Sequence, residues 1–378
     1  MRGQKFPTGQ RRRPTSPCRT LPDWFTGNNV EVLVHGATYF DRLTDEVEKL
    51  GRGDHLFFTD WRGDPDERTR DGGPTIAELF CRAAQRGVVV KGLMWRSHLD
   101  QFAYSEEQNR HPDAHFEYDF APRGERSIAR GYTKAVLRAR RLIYLEDQYL
   151  WSKQVSRLFA AALAANPDLH LIAVVPRHPD VDGRLSLPPN QVGRQQAIAT
   201  CRRAAPDRVH VFDVENHEGT PVYVHAKVCV IDDVWASVGS DNFNRRSWTH
   251  DSELSCAVLD DAHDEREPRD PAGLGDCARV FARELRLKLL REHLDLDGGT
   301  DDAALIDPSD AVAAVNASAN ALQAWYDSGR TGPRPPGRLR PHRPERLGLL
   351  TRAWAEPVYR AVYDPDGRNY RDRLRRYW

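Results

Sequence analysis

The 378-residue sequence has no apolar run that approaches the roughly 18 residues of a membrane-spanning helix. Lysine is also scarce, since only seven of the 55 basic residues are lysine and the rest are arginine. The 55 basic side chains are balanced by 55 acidic ones, so the formal charge is zero. This balance argues against a protein whose whole surface binds nucleic acid, because such a surface is normally basic. We therefore expect no nucleic-acid partner.

The six cysteines are scattered, and none of them forms a CxxC pair or a Cys/His cluster typical of zinc. Cys81, Cys229 and Cys256 lie in apolar runs and are predicted to be reduced core residues. The N-terminal basic run at 11–13 is not followed by the apolar stretch of a secretory signal. We expect a cytoplasmic protein, at most peripheral at a membrane, without metal or cofactor.

Two stretches show the alternation of strands and helices that is typical of βαβ units. In the first, the sequence predicts a strand at 56–61, a helix at 76–86 and a strand at 88–95. The second predicts helices and strands in turn at 127–141, 142–145, 155–165 and 169–175. The prediction is an α/β fold with two βαβ-rich halves around a mostly parallel sheet.

Further along the chain, the pattern predicts a β-hairpin with strands at 222–231 and 235–238 that turns at Asp232 and Asp233. A strand at 252–259 and a long amphipathic helix at 277–294 follow. The predicted organisation is a disordered arm at 1–28, a first half at 29–126, a second half at 127–299, a linker-rich segment at 300–346 and an aromatic tail at 347–378. Because this tail is dense in Trp and Tyr, we expect it to dock on the rest of the chain.

The hairpin carries the residues with chemical potential. His225 and Lys227 are two residues apart, so on a strand both face the same side of the sheet. An imidazole can act as a nucleophile or as a general acid or base, and Lys227 adds a positive charge beside it. Asp232 closes the run at the turn. The pair is suited to attack on a phosphodiester, whose negative charge must be offset before a nucleophile approaches.

A second group of residues follows the hairpin. Ser240 and Asn242 supply a hydroxyl and an amide, and Gly239 allows a close backbone approach. Glu253 is placed to hold the imidazole of His225 in one tautomer, as a carboxylate does in a catalytic triad. The predicted catalytic residues are therefore His225, Lys227, Asp232 and Glu253. The predicted phosphate-binding residues are Gly239, Ser240 and Asn242.

These residues resemble the signature of the phospholipase D superfamily, in which HxKxxxxD is followed by GSxN. The segments at 142–150, 245–247 and 251–253 also look like the phospholipase subgroup, and the resemblance runs from about 30 to 294. It implies a metal-free, two-step reaction in which one histidine forms a phosphohistidine and a second protonates the leaving alcohol. The implied activity is that of a phosphodiesterase or phosphatidyltransferase on phospholipid at a membrane surface.

The chain departs from the family pattern because only one copy of the motif is present. By this resemblance the first half is truncated, and we expect the loss of the first motif to impair activity. His98, His111 and His115 lie where the first copy is expected, but none has a lysine two residues later. Four alternatives are open: a homodimer that completes the site, a non-catalytic phosphate-binding remnant, a phospholipase D-like nuclease and a fault in the gene model. Neutral overall charge makes the nuclease the weaker reading.

Other strand ends supply secondary candidates for the substrate cleft. Glu146 and Gln148 end a predicted strand beside the expected site, and we favour a cleft role for them. The segments at 61–64 and 95–98 follow strand ends in the first half, and a plain loop is a comparable explanation for both.

Overall fold

A computed structural model describes residues 25–60, 65–94, 126–179, 187–249, 251–296, 302–368 and 373. The chain divides into two compact units, one of residues 27–111 and the other of residues 1–26 and 112–378. The candidates at 61–64 and 95–98, the basic run at 11–13, and His111 and His115 lie outside the described residues. The described helices include none that is both long enough and apolar enough to span a membrane.

The smaller unit contains a βαβ motif. Its elements are α1 Gly36–Lys49, β1 His55–Asp60, α2 Ile76–Gln85 and β2 Val89–Met94. Strands β1 and β2 pair in parallel, which confirms the predicted strand, helix and strand. Four buried side chains from the two helices and the residue before β2 form its core: Val47, Leu79, Ala83 and Val88.

Local sequence explains where α2 begins and ends. The backbone N–H of Glu78 donates to the Thr75 hydroxyl at 3.2 Å, and the Thr75 N–H donates to the Glu78 carboxylate at 3.0 Å. This capping box satisfies two of the N–H groups that a helix start leaves without partners. After the helix, Gly87 has φ of 89°, a left-handed conformation that favours glycine.

The larger unit is built from alternating helices and strands followed by a hairpin and a helical extension. Its elements are α3 Ser127–Arg138, β3 Leu142–Asp147, α4 Lys153–Ala165, β4 His170–Val174, α5 Leu187–Ala204, β5 Val209–Val214, β6 Lys227–Ile231, β7 Trp235–Gly239, α6 Arg245–Thr249, β8 Ser255–Val258, α7 Val280–His293, α8 Ala303–Ile306, α9 Pro308–Asp327, β9 Leu339–Pro341, α10 Leu349–Val358 and a π-helical turn Tyr359–Tyr363. The order confirms the predicted α/β class.

The strands form one seven-stranded sheet in the order β8-β7-β6-β3-β4-β5-β9. The central strands β3, β4 and β5 are parallel, and the outer pairs are antiparallel. Because β6 runs against β3, its first residue, Lys227, pairs with Asp147, the last residue of β3. The ends of β3, β4, β5 and β7 and the starts of β6 and β8 therefore share one edge of the sheet, which we call the carboxyl edge.

An aromatic cluster fixes the segment that follows β7. The ring of Tyr132 on α3 stacks on Trp248 with centroids 5.4 Å apart, and it meets Phe243 edge-on at 4.9 Å. All three side chains are buried in the main core. Offset or edge-to-face contacts of this kind add to the stabilisation from apolar burial.

The hairpin turns at Asp232 and Asp233, as predicted, with φ values of 51° and 57°. Asp233 is buried and accepts hydrogen bonds from the guanidinium groups of Arg283 and Arg286 on α7, at 2.6 to 3.0 Å. A buried carboxylate needs such charged partners because burial removes its water. The turn is therefore fixed to α7 as well as to the sheet.

Residues 302–346 are structured where the composition predicted a linker-rich segment at 300–346. They contain α8, α9 and β9, and β9 pairs antiparallel with β5. Leu339 on β9 is fully buried, so this short edge strand covers the last parallel strand. Proline fits here because an edge strand has a side without ladder hydrogen bonds.

Two of the three cysteines predicted to lie in the core do not. Cys229 on β6 is buried, but Cys81 and Cys256 are exposed. Cys81 lies on α2 away from the buried face of that helix, which is formed by Leu79 and Ala83. Cys256 lies on β8, which among the described strands is at the edge of the sheet and has a neighbour on one side only. An apolar sequence neighbourhood was therefore a poor guide at an edge strand.

Candidate active site

Lys227 is a buried cation at the carboxyl edge, with 7% of its surface exposed. Its ammonium donates to the side-chain oxygen of Gln148 at 3.1 Å and to the carbonyl of His225 at 2.8 Å. Burial lowers the pKa of Lys227 to about 8, and the nearby carboxylates, of which Asp147 acts most strongly, oppose that shift. Its buried environment therefore disfavours the charged form of Lys227. An anion that binds beside the ammonium would stabilise that charged form.

His225 precedes β6 rather than lying within it. The prediction of a strand from 222 differs from the structure, in which the ladder begins at Lys227. The imidazole is exposed, and the ring of Tyr223 stacks near it with centroids 6.1 Å apart. Neighbouring protein atoms remove part of the water around the ring, and this loss of solvation, together with the charge of Lys227, lowers the pKa of His225 to about 4. The ring is therefore neutral near pH 7, which is the form that can attack as a nucleophile.

Gln148 connects these two residues to the loop after β3. Its amide nitrogen donates to the Tyr223 hydroxyl at 2.6 Å, while its oxygen accepts from Lys227. The prediction that Gln148 lies beside the site agrees with this placement. Glu146 lies elsewhere: its carboxylate accepts from Tyr144 at 2.5 Å and is 2.8 Å from Nε2 of His293, within a buried network.

Glu253 lies at the carboxyl edge, where it organises the residues after β7. It accepts hydrogen bonds from the hydroxyls of Ser240 at 2.5 Å and Ser247 at 2.7 Å. These contacts differ from the predicted one with His225. Burial raises the pKa of Glu253 to about 7, against the effect of the two serine hydroxyls. The proton of Ser240 is directed to Glu253, so a phosphate contact from Ser240 stays a prediction.

Gly239 and Asn242 have different environments. A Cβ on Gly239 would lie 2.6 Å from Cα of Ser255, so glycine is required for β7 and β8 to approach each other. The side-chain oxygen of Asn242 is buried and has no hydrogen-bond partner among the described residues. A buried polar atom without a partner is unfavourable, so Asn242 is suited to contact a ligand.

The family described as cardiolipin synthase, PLD-like domain, matches residues 135–266. That range contains the whole HxKxxxxD and GSxN pattern. This match places a domain of the phospholipase D superfamily at residues 135–266.

Curated relatives within this superfamily are similar over short stretches. Phospholipase D1 of Schizosaccharomyces pombe is 40% identical over 88 residues, which is 22% of this chain and 6% of that protein. Cardiolipin synthase 1 of Staphylococcus epidermidis is 25% identical over 134 residues, which is 35% of this chain and 24% of that protein. The matches thus span less than a quarter of the length of either relative. A solved phospholipase D family member, Nuc from Salmonella typhimurium, aligns at 18% identity over 36% of this chain and 76% of its own, with a TM-score of 0.28.

The sequence analysis did not identify two buried acidic residues of this phospholipase D-like domain, Asp147 and Asp241. Asp147 is buried and accepts from the N–H groups of Tyr149, Leu150 and Phe243, the first and last at 2.7 and 2.9 Å. It therefore ties the end of β3 to the segment that follows GSxN. Asp241 lies inside that motif, and burial raises its pKa to about 6. The position of Asp241 in the motif was a usable signal. Asp147 lies in the segment at 142–150 that resembles the phospholipase subgroup, but that resemblance gave it no role.

Arg194 is a third residue that the sequence analysis missed. Its buried guanidinium donates to the carbonyls of Gln148 at 2.9 Å, Tyr149 at 3.1 Å and Pro176 at 2.6 Å. These bonds hold the loops after β3 and β4 against α5. Arg194 thus positions Gln148, which in turn contacts Lys227.

Asp232 is not part of the arrangement around His225. Its carboxylate accepts from the backbone N–H groups of Arg140, Arg141 and Leu142 at 2.7 to 2.8 Å. Asp232 follows β6 and Lys227 begins it, so at about 3.3 Å per residue they are roughly 16 Å apart. The structure therefore places Asp232 where it anchors the start of β3.

The described part of the chain contains no group of three or more His, Cys, Asp or Glu side chains arranged to hold a metal ion. The charge near His225 comes from Lys227 and the surrounding carboxylates. What this arrangement can do chemically is bind a phosphoryl group beside a neutral imidazole.

Proposed function

We propose that this chain is a phosphodiesterase or phosphatidyltransferase that acts on phospholipid through a phosphohistidine at His225. The observation that carries the proposal is a neutral, exposed imidazole two residues from a buried ammonium at the edge of the sheet. Relatives named phospholipase D and cardiolipin synthase support phospholipid as the substrate class.

In the first step, a ring nitrogen of His225 attacks phosphorus. A P–N bond forms, the P–O bond to the leaving alcohol breaks, and its electron pair stays on the alcohol oxygen, which takes a proton from a general acid. Lys227 offsets the charge on the non-bridging oxygens, as preorganised donors do in other enzymes. In the second step, the oxygen of water or of another alcohol attacks phosphorus, the P–N bond breaks, and a base takes the proton.

The general acid must carry a proton while the nucleophile is unprotonated, so the two roles need separate groups. His225 belongs to the only HxK in the sequence. We propose that a two-fold dimer brings the His225 of a second copy to the same site, because such an axis makes equivalent surfaces face each other. The single motif also favours a second candidate function, phosphate binding without turnover, for the monomer.

The rim of the site favours lipid over nucleic acid. Leu254 is 84% exposed, and its backbone N–H donates to the Ser240 hydroxyl at 3.0 Å. Val222 and Tyr223, close to His225 along the chain, are also exposed. A water-exposed apolar rim suits acyl chains, whereas binding to a nucleic-acid backbone relies on a basic groove.

The test compares three substrates with the same purified chain: phosphatidylcholine vesicles with choline release as the readout, a soluble chromogenic phosphodiester, and DNA. We expect choline release that grows faster than linearly with protein concentration and follows the dimer in size-exclusion chromatography. Phosphate-dependent stabilisation without turnover at any concentration would favour the binding function. Cleavage of DNA in preference to vesicles would contradict the lipid assignment.

A further inference from the structure

Helix α10 carries apolar residues on both of its sides. Its inner side packs through Ala355, and the next turn packs through Tyr359; both are buried. On the outer side, Leu349 is 87% exposed, Leu350 is 88% exposed and Trp354 is 40% exposed. Isolated exposed apolar residues are common on proteins, but a contiguous group of them marks an interaction surface.

Helical geometry shows that these side chains form one stripe. Residues four apart lie on the same face of a helix, so Leu350 is adjacent to Trp354 and Leu349 is adjacent to Ala353. Pro357 is exposed and continues the stripe by a further turn. We call Leu349, Leu350, Ala353, Trp354 and Pro357 the outer stripe. None of the five is charged, so the outer stripe is a continuous apolar strip, although the exposed Arg352 lies beside it on the same helix.

The residues that flank the outer stripe are mainly basic. Arg343, Arg346, Arg352 and Arg360 are all exposed. Two acids are present, and both have polar partners: Glu356 pairs with Arg360 at 2.6 Å, and Glu345 accepts from Gln191 at 2.7 Å. Arg343 also lies 4.0 Å from the carboxylate of the exposed Asp327. With that acid counted, four basic side chains face three acidic ones, so a small excess of positive charge remains beside the apolar stripe. That combination is typical of helices that lie in the interface of an anionic bilayer.

Trp354 adds to this argument. Tryptophan is enriched at the membrane interface because one side of its ring is apolar and its N–H can reach water. The basic flank also favours a lipid surface over an apolar protein partner, since anionic head groups would meet Arg343, Arg346 and Arg352.

The end of α10 is attached to the site. The Tyr359 hydroxyl accepts from the N–H of Ser152 at 2.8 Å and donates to Asp364 at 2.7 Å. Asp364 in turn accepts from the N–H groups of Arg245 at 2.6 Å and Arg246 at 3.0 Å. Ser152 lies in the loop after β3, and α6 follows the GSxN motif, so α10 is anchored at the carboxyl edge.

We propose that the outer stripe of α10 is an interfacial surface that inserts Leu349, Leu350 and Trp354 into an anionic lipid bilayer. The proposal rests on the proposed function, because a lipid substrate gives the site a reason to be held at a membrane. Its test, however, measures binding rather than turnover, so the two can fail separately.

The experiment is sedimentation of the full chain with vesicles of phosphatidylcholine alone and of phosphatidylcholine with phosphatidylglycerol. The test variant is the double substitution Leu349→Ser and Leu350→Ser. The matched control is Leu137→Ser and Leu274→Ser, two exposed leucines outside α10. We expect the test variant to bind anionic vesicles at least about tenfold more weakly, because it removes two insertable side chains. The control should bind as the parent does, and added salt should weaken binding of the parent.

Unchanged vesicle binding by the test variant would overturn the proposal. So would a change from dimer to monomer with vesicle binding retained, since a second copy would then cover the stripe. Turnover of a soluble phosphodiester separates this outcome from the proposed function: the test variant should keep it, while His225→Ala should lose it and still bind vesicles. If vesicle binding depends on Leu349 and Leu350 but the chain shows no turnover, the outer stripe is confirmed as the membrane-binding surface and the catalytic proposal is wrong.

Discussion

The ammonium of Lys227 lies 3.1 Å from the side-chain oxygen of Gln148, and this contact joins the first residue of β6 to the residue that follows β3. It places a charge at the carboxyl edge while satisfying one of its three N–H donors. A second donor goes to the carbonyl of His225 at 2.8 Å. The backbone of His225, the ammonium of Lys227 and the loop after β3 are therefore held as one unit.

Replacing Lys227 should separate activity from stability. We expect Lys227→Met to lower turnover of a soluble phosphodiester by about 10²–10³, because a donor to the transition-state charge is lost. The same variant should unfold less readily at pH 7. The pKa of Lys227 is about 8 in the fold, against 10.5 for an ordinary lysine, so its buried charge disfavours the fold below pH 8.

The gain in stability expected for Lys227→Met depends on pH. Between pH 8 and 10.5 the unfolded chain binds more protons than the folded chain, so stability of the parent rises with pH across this window. The advantage of Lys227→Met, at most about 3 kcal/mol at pH 7, should shrink over the same range. Urea denaturation of both proteins at pH 7 and pH 10 measures it. If Lys227→Met is more stable than the parent by the same amount at pH 7 and at pH 10, the lowered pKa of Lys227 is wrong.

The pH dependence of turnover should follow the two site pKa values. For a chromogenic phosphodiester, whose leaving group departs without a general acid, we expect the rate to rise as pH increases through about 4, where His225 loses its proton, and to fall as pH increases through about 8, where Lys227 loses its charge. In Lys227→Arg the upper limb should move to higher pH, because a guanidinium stays protonated. An upper limb that stays near pH 8 in this variant would assign it to another group.

Removal of the His225 imidazole should abolish turnover with the fold intact. The ring is exposed, so His225→Ala leaves no cavity in the core. We expect at least about a 10³-fold loss of soluble phosphodiester turnover, with an unchanged unfolding midpoint. His217→Ala, at another exposed histidine in the same unit, is the control and should retain full activity. Full turnover by purified His225→Ala would end the phosphohistidine proposal.

Loss of the Asp232 carboxylate should affect folding rather than chemistry. Asp232→Ala leaves three backbone N–H groups at the start of β3 without their acceptor. We expect a loss of about 2–4 kcal/mol in the free energy of unfolding, with turnover per folded molecule changed less than about twofold. The exposed Asp261→Ala serves as the control. Normal stability with lost turnover would instead make Asp232 part of the site.

Glu253 should make stability fall as pH rises. Its pKa is about 7 in the fold against an ordinary 4.5, so the folded chain binds more protons than the unfolded chain between these values. Its contribution is therefore present below pH 4.5 and is lost as pH rises through 7. Glu253→Gln should lack this dependence, while Glu265→Gln, an exposed site, should behave as the parent. Matching pH curves for Glu253→Gln and the parent in denaturation experiments would exclude the raised pKa.

The sequence by itself determined the class of the fold and the position of the chemistry. Strand and helix periodicity predicted β1, α2 and β2, and it also predicted the hairpin that turns at Asp232. These strands, this helix and this turn are formed by residues that are close together in the chain, so the order of apolar and polar residues is enough to predict them. The spacing of His225, Lys227 and the GSxN motif was readable for the same reason, because residues two apart on an extended segment share a face.

Only the tertiary structure decided which partners each of these residues has. Lys227 meets Gln148 because β6 runs against β3, Glu253 meets Ser240 and Ser247 rather than His225, and Asp232 lies at the far end of its strand. The composition at 300–346 predicted a linker, yet β9 completes the sheet and leads to α10. These contacts depend on which strands are neighbours in the sheet. The order of the strands results from packing of the whole core rather than from any local pattern.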